Sequence, residues 1–276
     1  MSTAKALARR LLPHSLYRLY RQRKVASLIA AYPTREVSHT YGAHPLRIQL
    51  ADPLAEGWYD HDWPEPTAIS FLRDRQVLSA GARIFDLGAH QAVIALMLAR
   101  EVGPSGRVVA IEAEPHNARI ALANRELNDA SNLIVLHAAG AANPGVISFA
   151  EGLNGQIDER SGAGNVEVRA ITVDELADEH GVPALVMIDV EGYEGHVLDG
   201  ATRTLSDGNT TFLVEVHEEL IDFGGDAEEI VERFLGFERY VAVEDDDPLV
   251  ALEGDPPPGR FFLIAIPPAA SRAPAA

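Results

Sequence analysis

The chain contains no cysteine, which excludes a disulfide framework and any thiolate metal site. It has no apolar run long enough to span a bilayer and no stretch that reads as a secretory leader, so the expected location is cytoplasmic. Basic charge is also scarce: 23 Lys and Arg stand against 41 Asp and Glu, a net charge of −18. Seven of the basic residues lie within positions 1–24, which hold no acid, leaving 16 basic against 41 acidic residues in the remainder. A body that acidic does not suit nucleic acid, because phosphate contacts need clustered basic charge. Glycine is sparse where a dinucleotide would need it. The stretch RIFDLGAHQAVIALML, residues 83–98, has one glycine, Gly88, where the pyrophosphate fingerprint has three.

That stretch organises the rest. Ile84, Phe85 and Leu87 flank Asp86 in a buried strand, Gly88 makes a sharp turn with room for a ligand, and Ala92 to Ala99 read as a helix buried on all sides. Ligands of open α/β sheets bind at the carboxyl ends of strands, so Asp86, Gly88, Ala89 and His90 are the candidate cofactor residues. A single glycine disfavours pyrophosphate and favours S-adenosylmethionine, whose ammonium Asp86 could help hold. A βα turn of no special function is the competing reading of this stretch alone.

Composition and pattern give one large folded unit. Residues 1–39 read as a basic helical segment, broken near Pro13, with Leu16, Leu19 and Tyr20 on one face. Such a helix suits peripheral contact with an anionic membrane at the inner face, or packing on the acidic body itself. The domain is expected over 40–266, with a disordered Pro/Ala-rich tail at 267–276. Leu46, Ile48 and Leu50 alternate as a strand, and the following Trp/Tyr/Asp/His-rich stretch reads as irregular, with Trp58, Tyr59, Trp63 and Glu65 as candidate walls of a site leading into the glycine turn; Glu65 is taken with the cofactor residues. A helix is expected over about 67–78, strands over 107–112, 133–136, 146–149, 166–171, 184–190 and 211–217, and helices from Pro115, over 173–180, up to about Leu205, and over 230–235. Residues 151–165 read as a mobile loop or lid, and 239–243 with 261–266 as a closing hairpin. The implied fold is α/β, a Rossmann-like, mostly parallel seven-stranded sheet with helices on both faces and a C-terminal β-hairpin.

Three further groups of residues point to chemistry. Glu112 ends the second strand at the distance where an acid meets ribose hydroxyls. Asp189 stands at the tip of a buried strand, followed by Glu191, which is open between a site role and a helix-dipole role, and Glu194, which is read as a helix-start acid only. Glu215 and His217 alternate on the next strand and share a face. The reading of this group is a general base, His217, with Asp189 and Glu215 orienting it or the substrate hydroxyl. The alternative is Mg²⁺ held by Asp189, Glu191 and Glu215.

IFDLGAHQA, the Glu112-Ala113-Glu114-Pro115 turn, Asn124, Asn128, MIDVEGYEGHVLDGA and FLVEVHEE together resemble the FkbM-type methyltransferases, of the Methyltransferase 21 group. The resemblance runs from about Glu65 to Glu219, and Asp189 to Gly192 is its most specific part. It implies a class I methyltransferase fold with S-adenosylmethionine at Asp86, Gly88, Ala89 and Glu112. It also implies O-methylation of a sugar hydroxyl, as on glycans or glycolipids, or of a secondary metabolite. The chain departs from the pattern at His90 and Ala92, where the family usually has Asn and Gly, and at Met187, where it usually has Lys. Two other functions stay open: a nucleotide-cofactor oxidoreductase on the same sheet, and a non-catalytic scaffold that kept the fold. The oligomeric state has no sequence signal.

Overall fold

The computed structural model describes residues 14–150, 156–157 and 165–268, with side chains over 23–148 and 166–268. The Pro13 break, the side chains of Leu16, Leu19 and Tyr20, most of the 151–165 loop and all but two residues of the tail lie outside the described residues. The chain opens with helix α1, His14–Ala31, and a hairpin of strands β1, Arg35–Tyr41, and β2, His44–Leu50. The hairpin begins ahead of the boundary drawn at residue 40, because Arg35 to Tyr41 pair residue for residue with Leu50 to His44.

Next come α2, Pro53–Tyr59, and α3, Thr67–Asp74. Helix α2 corrects the irregular reading of this stretch. Asp52 caps it by accepting hydrogen bonds from the Leu54 and Ala55 N–H groups, and Pro53 fills the first turn, where no N–H is needed. Seven residues are too few to show a helical period.

The alternating part follows as β3 (Arg83–Leu87), α4 (Val93–Val102), β4 (Arg107–Glu112), α5 (Pro115–Leu127), β5 (Leu133–His137), β6 (Ala139–Gly140), β7 (Gly145–Ala150), β8 (Gln156–Ile157), β9 (Asn165–Ile171) and α6 (Val173–His180). It continues with β10 (Leu185–Ile188), α7 (Glu194–Asp199), α8 (Thr202–Ser206), β11 (Thr211–Val216), a 3₁₀ helix (Glu218–Phe223), α9 (Ala227–Glu232), β12 (Glu238–Ala242), β13 (Val250–Ala251) and β14 (Phe261–Ile266). The single helix expected up to Leu205 is two. Between them Gly200 presses against the Ala141 carbonyl, so closely that a Cβ would stand 2.2 Å from its oxygen.

The main sheet has the order β13-β12-β14-β11-β10-β3-β4-β5. Strands β5, β4, β3, β10 and β11 are parallel, and β14 runs antiparallel between β11 and β12. This is the expected doubly wound, Rossmann-like, mostly parallel sheet, seven strands extended at one edge by the two-residue β13. The expected closing hairpin is the β12–β14 pair, with β13 and an acidic loop in its connection. A second sheet, β6-β9-β7-β8, was not foreseen as a unit.

Alternation on the strands gives the sheet two buried faces. Phe85, Leu87, Val109, Val186 and Phe212 pack on one side with α6, α7 and α9, and Ile84, Val108, Leu185 and Ile264 on the other with α4 and the β1–β2 hairpin. Asn124 and Asn128 of α5 fasten that hairpin. Their side-chain oxygens accept the Gln49 and Arg47 N–H groups at 2.7 and 3.0 Å, replacing the missing strand partner of β2.

Candidate active site

The first parallel strands, β3 and β10, end side by side, and Asp189 N donates to the Leu87 carbonyl at 2.9 Å. Gly88 follows with φ +93°, and a Cβ there would lie 1.7 Å from the Asp189 carbonyl oxygen. The room that glycine leaves is therefore filled by the Asp189 backbone rather than by a ligand. Gly88 welds the two strand tips together. Its N–H and that of Ala89 both donate to Ile111 O, which fixes the turn against β4 as well.

His90 and Ala92 keep the left-handed backbone of the turn, at φ +48° and +64°. For alanine this conformation costs about 1 kcal/mol relative to glycine, and the surrounding bonds hold it. His90 N donates to Glu112 Oε2 at 2.7 Å, and Glu114 N to Glu112 Oε1 at 2.7 Å. Gln91 is fully buried and donates to Asp52 Oδ2 and Asn117 Oδ1 at 2.7 and 3.1 Å. His116 Nε2 lies 3.0 Å from the same Asp52 oxygen. One carboxylate thus caps α2 and ties it to the glycine turn. Asp52 was missed in the sequence, although Asp-Pro is a helix-start signal.

Asp86 is 1% exposed and its Oδ2 has no hydrogen-bond partner, while the residue lines a cleft of about 990 Å³. Burial pushes its carboxyl up to about 7. Glu112 lines the same cleft, and burial, partly offset by the two backbone N–H groups, raises it to about 8. Two acids at adjacent strand ends with their charged forms disfavoured are suited to a ligand that brings positive charge or hydroxyl donors.

A wall of rings closes one side. Tyr59 Oη is 2.8 Å from His90 Nδ1, the Trp58 and His90 rings are 5.0 Å apart, and Trp63 Nε1 donates to Trp58 O at 2.8 Å. Trp58, Tyr59, Trp63 and Glu65 all line the cleft, as the sequence suggested. The Glu65 carboxylate is also engaged by Arg73, which binds Glu101 as well, so its position at the cleft is anchored.

Beyond the glycine turn the cleft holds Asp189, Glu191, Glu215 and His217. His217 Nε2 is 3.4 Å from Glu215 Oε1, 3.7 Å from Asp189 Oδ1 and 4.0 Å from Glu191 Oε2. Its Nδ1 is 2.8 Å from Glu194 Oε1, which also accepts the Gly192 N–H. Glu194 is fully buried, so the reading of it as a helix-start acid alone is corrected. Arg260, also missed because it lies far along the chain, donates to Glu215 Oε1 at 2.7 Å.

The electrostatics of the cluster centre on His217. Burial opposes its charge, but hydrogen bonds to Glu194 and Glu215 and the nearby carboxylates outweigh that and push it up to about 11. The same neighbours favour the charged, donating imidazolium over the free base expected from the position of His217. Asp189 moves the other way for a carboxylate, well above the usual range, through burial and then the Glu215 charge. Glu215 is held below its usual value because His217 and Arg260 outweigh burial. Asp189, Glu215 and His217 each offer one ligand atom within 4.8 Å of the others, whereas the expected Mg²⁺ set had Glu191 in place of His217.

The sequence model described as Methyltransferase FkbM domain matches residues 86–242. No curated protein matches. Among solved structures, the chain is similar to a methyltransferase FkbM from Methylobacillus flagellatus KT, at 17% identity and TM-score 0.43, over 66% of this chain and 43% of that one. It thus spans less than half of that protein. It is also similar to an S-adenosylmethionine-dependent O-methyltransferase from Thermotoga maritima, at 15% identity and TM-score 0.42, covering 87% and 80% of the two chains. A third is fibrillarin from Aeropyrum pernix with natively bound S-adenosyl-L-methionine, at 14% identity and TM-score 0.44, covering 87% and 86%.

Proposed function

The chain belongs to the FkbM family of S-adenosylmethionine-dependent methyltransferases, and from that premise we propose that it methylates a hydroxyl oxygen of a sugar, as on a glycan or glycolipid, or of a secondary metabolite. The observation that carries this reading is the convergence, in one cleft, of the orphaned Asp86 carboxylate with the Asp189–Glu215–His217 cluster. S-adenosylmethionine, when bound, supplies a methyl group already activated on a sulfonium.

The residues fit that cofactor. Asp86 Oδ2, buried and unpartnered, suits the ammonium of its methionine end, and the Glu112 oxygens retain lone pairs for ribose hydroxyls. Neither group suits a pyrophosphate, which argues against the oxidoreductase alternative. Asp189 is the group we assign to receive the acceptor's proton, since its basicity is raised and it stands at the cleft side of His217. The His217 imidazolium donates toward the same space and stabilises the carboxylates around it. Most of the acceleration comes from orientation of two bound reactants, worth potentially about 7 kcal/mol or more. Specificity for the acceptor lies in the Trp58, Tyr59 and Trp63 wall and in the acidic loop after β12.

A divalent cation is a second reading, favoured by the three converging ligand atoms. It would displace the proton from His217 and release Glu215 from Arg260. A set containing imidazole suits a transition metal better than Mg²⁺, which prefers oxygen alone.

Among the described residues no helix is long and apolar enough to cross a membrane. We propose that the basic segment 1–24 is the contact with any anionic lipid surface and that nucleic acid is not a substrate.

The test is calorimetric titration with S-adenosylhomocysteine, with and without Mg²⁺, and with NAD as control. Micromolar affinity for S-adenosylhomocysteine, about −8 kcal/mol, supports the reading and opens an acceptor screen. Absence of binding in every condition would restore the non-catalytic scaffold. A cation requirement would favour the second reading.

A further inference from the structure

At the opposite end of the sheet from the cleft, β3 and β4 each begin with an arginine. Arg83 and Arg107 are register partners on adjacent parallel strands, so their side chains leave the same face of the sheet. Like charges directly opposite one another destabilise a strand pair. In a chain of net charge −18 each has many carboxylates to choose from, yet neither takes part in an ion pair among the described residues.

Beside them is a cavity of about 310 Å³, walled by both arginines, Ser105, Ser131, Asn132 and His180. His180 closes α6 with a side chain only 9% exposed, and its Nε2 is buried with no hydrogen-bond partner. The nearest carboxylate oxygen, on the exposed Glu179, is 3.7 Å away, beyond hydrogen-bonding reach. Gly181, at φ +88°, keeps this wall open. A Cβ there would stand 3.1 Å from Arg83 Nε, so the Arg83 side chain lies directly against the chain next to His180. Asn132 is turned away from the cavity's needs, donating to the Ala99 and Gly103 carbonyls at 2.8 Å each.

We propose that this cavity is a binding site for a phosphate group, inorganic or carried as a monoester. Two guanidinium forks match the oxygens of a tetrahedral dianion in geometry and charge. The hydroxyls of Ser105 and Ser131 add neutral donors at the rim. His180 packs beside Arg83 and shapes the cavity wall, with its Nε2 shielded from solvent behind that wall. The charge of the whole chain repels anions, so binding depends on these local groups and weakens with salt. The site shares no wall with the catalytic cleft and stands independently of the methyltransferase reading.

The experiment is calorimetric titration of the full chain with inorganic phosphate, glucose 6-phosphate and sulfate, at low ionic strength and neutral pH. Arg83→Gln, Arg107→Gln, His180→Gln and the double arginine variant are titrated in parallel. Saturable phosphate binding at about 1 mM or tighter, weakened tenfold or more by either arginine substitution and less by His180→Gln, supports the site. Glucose 6-phosphate binding with free phosphate excluded assigns the anion to a monoester, and the reverse assigns it to free phosphate. The proposal is overturned if neither phosphate species saturates, or if binding is unchanged in the double variant. Unchanged circular-dichroism spectra and thermal melts show that each variant remains folded.

Discussion

Glu194 Oε1 and His217 Nδ1 stand 2.8 Å apart, with the carboxylate fully buried and its other oxygen unpartnered. The bond fixes which way the imidazole faces, so that Nε2 looks toward Asp189 and Glu215. Gly192 N donates to the same Glu194 oxygen at 2.9 Å, tying the ring to the Asp189–Gly192 turn. The surrounding carboxylates push His217 up to about 11 in the fold, against about 6.5 unfolded. Its stabilising contribution is therefore complete below about pH 6.5 and is lost as pH rises toward 11. Replacing Glu194 by Gln is expected to lower the His217 value by at least one unit and to cut turnover about 10–100-fold with cofactor affinity nearly unchanged. NMR titration of the His217 ring checks the first, and the stability gap between the two proteins should narrow at high pH.

If Asp189 receives the acceptor's proton, Asp189→Asn costs more turnover than His217→Gln. The expected loss for Asp189→Asn is about 10²–10⁴-fold in kcat. A pH–rate profile should lose its acid limb in Asp189→Asn and keep it in His217→Gln. The opposite ranking would return the base role to His217.

Asp86 is held neutral to about pH 7 by burial, against about 3.9 unfolded. Its contribution to stability is present below about pH 4 and is lost as pH rises through 7. Asp86→Asn should therefore be more stable than the parent protein at pH 8, by roughly 2–4 kcal/mol, and flatter with pH between 4 and 7. The same variant should bind S-adenosylhomocysteine about 10–100-fold more weakly, because the neutral amide no longer attracts an ammonium. Urea melts across pH and a ligand titration read the two effects separately.

Gly88→Ala drives a Cβ to 1.7 Å from the Asp189 carbonyl oxygen and forces alanine to φ +93°. A loss of about 4 kcal/mol or more and of all cofactor binding is expected. Gly103→Ala serves as comparison: its φ is +66° but no atom lies within 4 Å of the added carbon. Its ψ of −178° puts that backbone in a region all but confined to glycine, so the variant should cost about 1–3 kcal/mol and should still bind normally.

Asp52→Ala removes the cap of α2 and the anchor of Gln91 and His116 together. Burial opposes the Asp52 charge, but His116, the Ala55 N–H and Gln91 outweigh it and hold the carboxyl below its usual value. Its stabilisation is therefore present above about pH 4 and is lost as pH falls further. The variant should lose roughly 2–4 kcal/mol at neutral pH, with the difference shrinking in acid. Thermal melts at pH 7 and pH 3 measure both.

The sequence by itself determined the alternating sheet, the turn at Gly88, the strand-end acids Asp86 and Glu112, and the grouping of Asp189, Glu215 and His217. Those features rest on local chemistry: apolar strands, a glycine turn, and side chains that alternate every second residue. Helix α2 was hidden because seven residues are too short for a period to show, although Asp52-Pro53 announced it. Only the tertiary structure decided what the grouped residues do. Glu194 and Arg260 reach the cluster from separate elements, and it is the summed field of carboxylates around one buried ring that favours the charged form of His217. The same holds for Gly88, whose missing side chain makes room for a neighbouring strand tip, a contact that no spacing along the chain encodes.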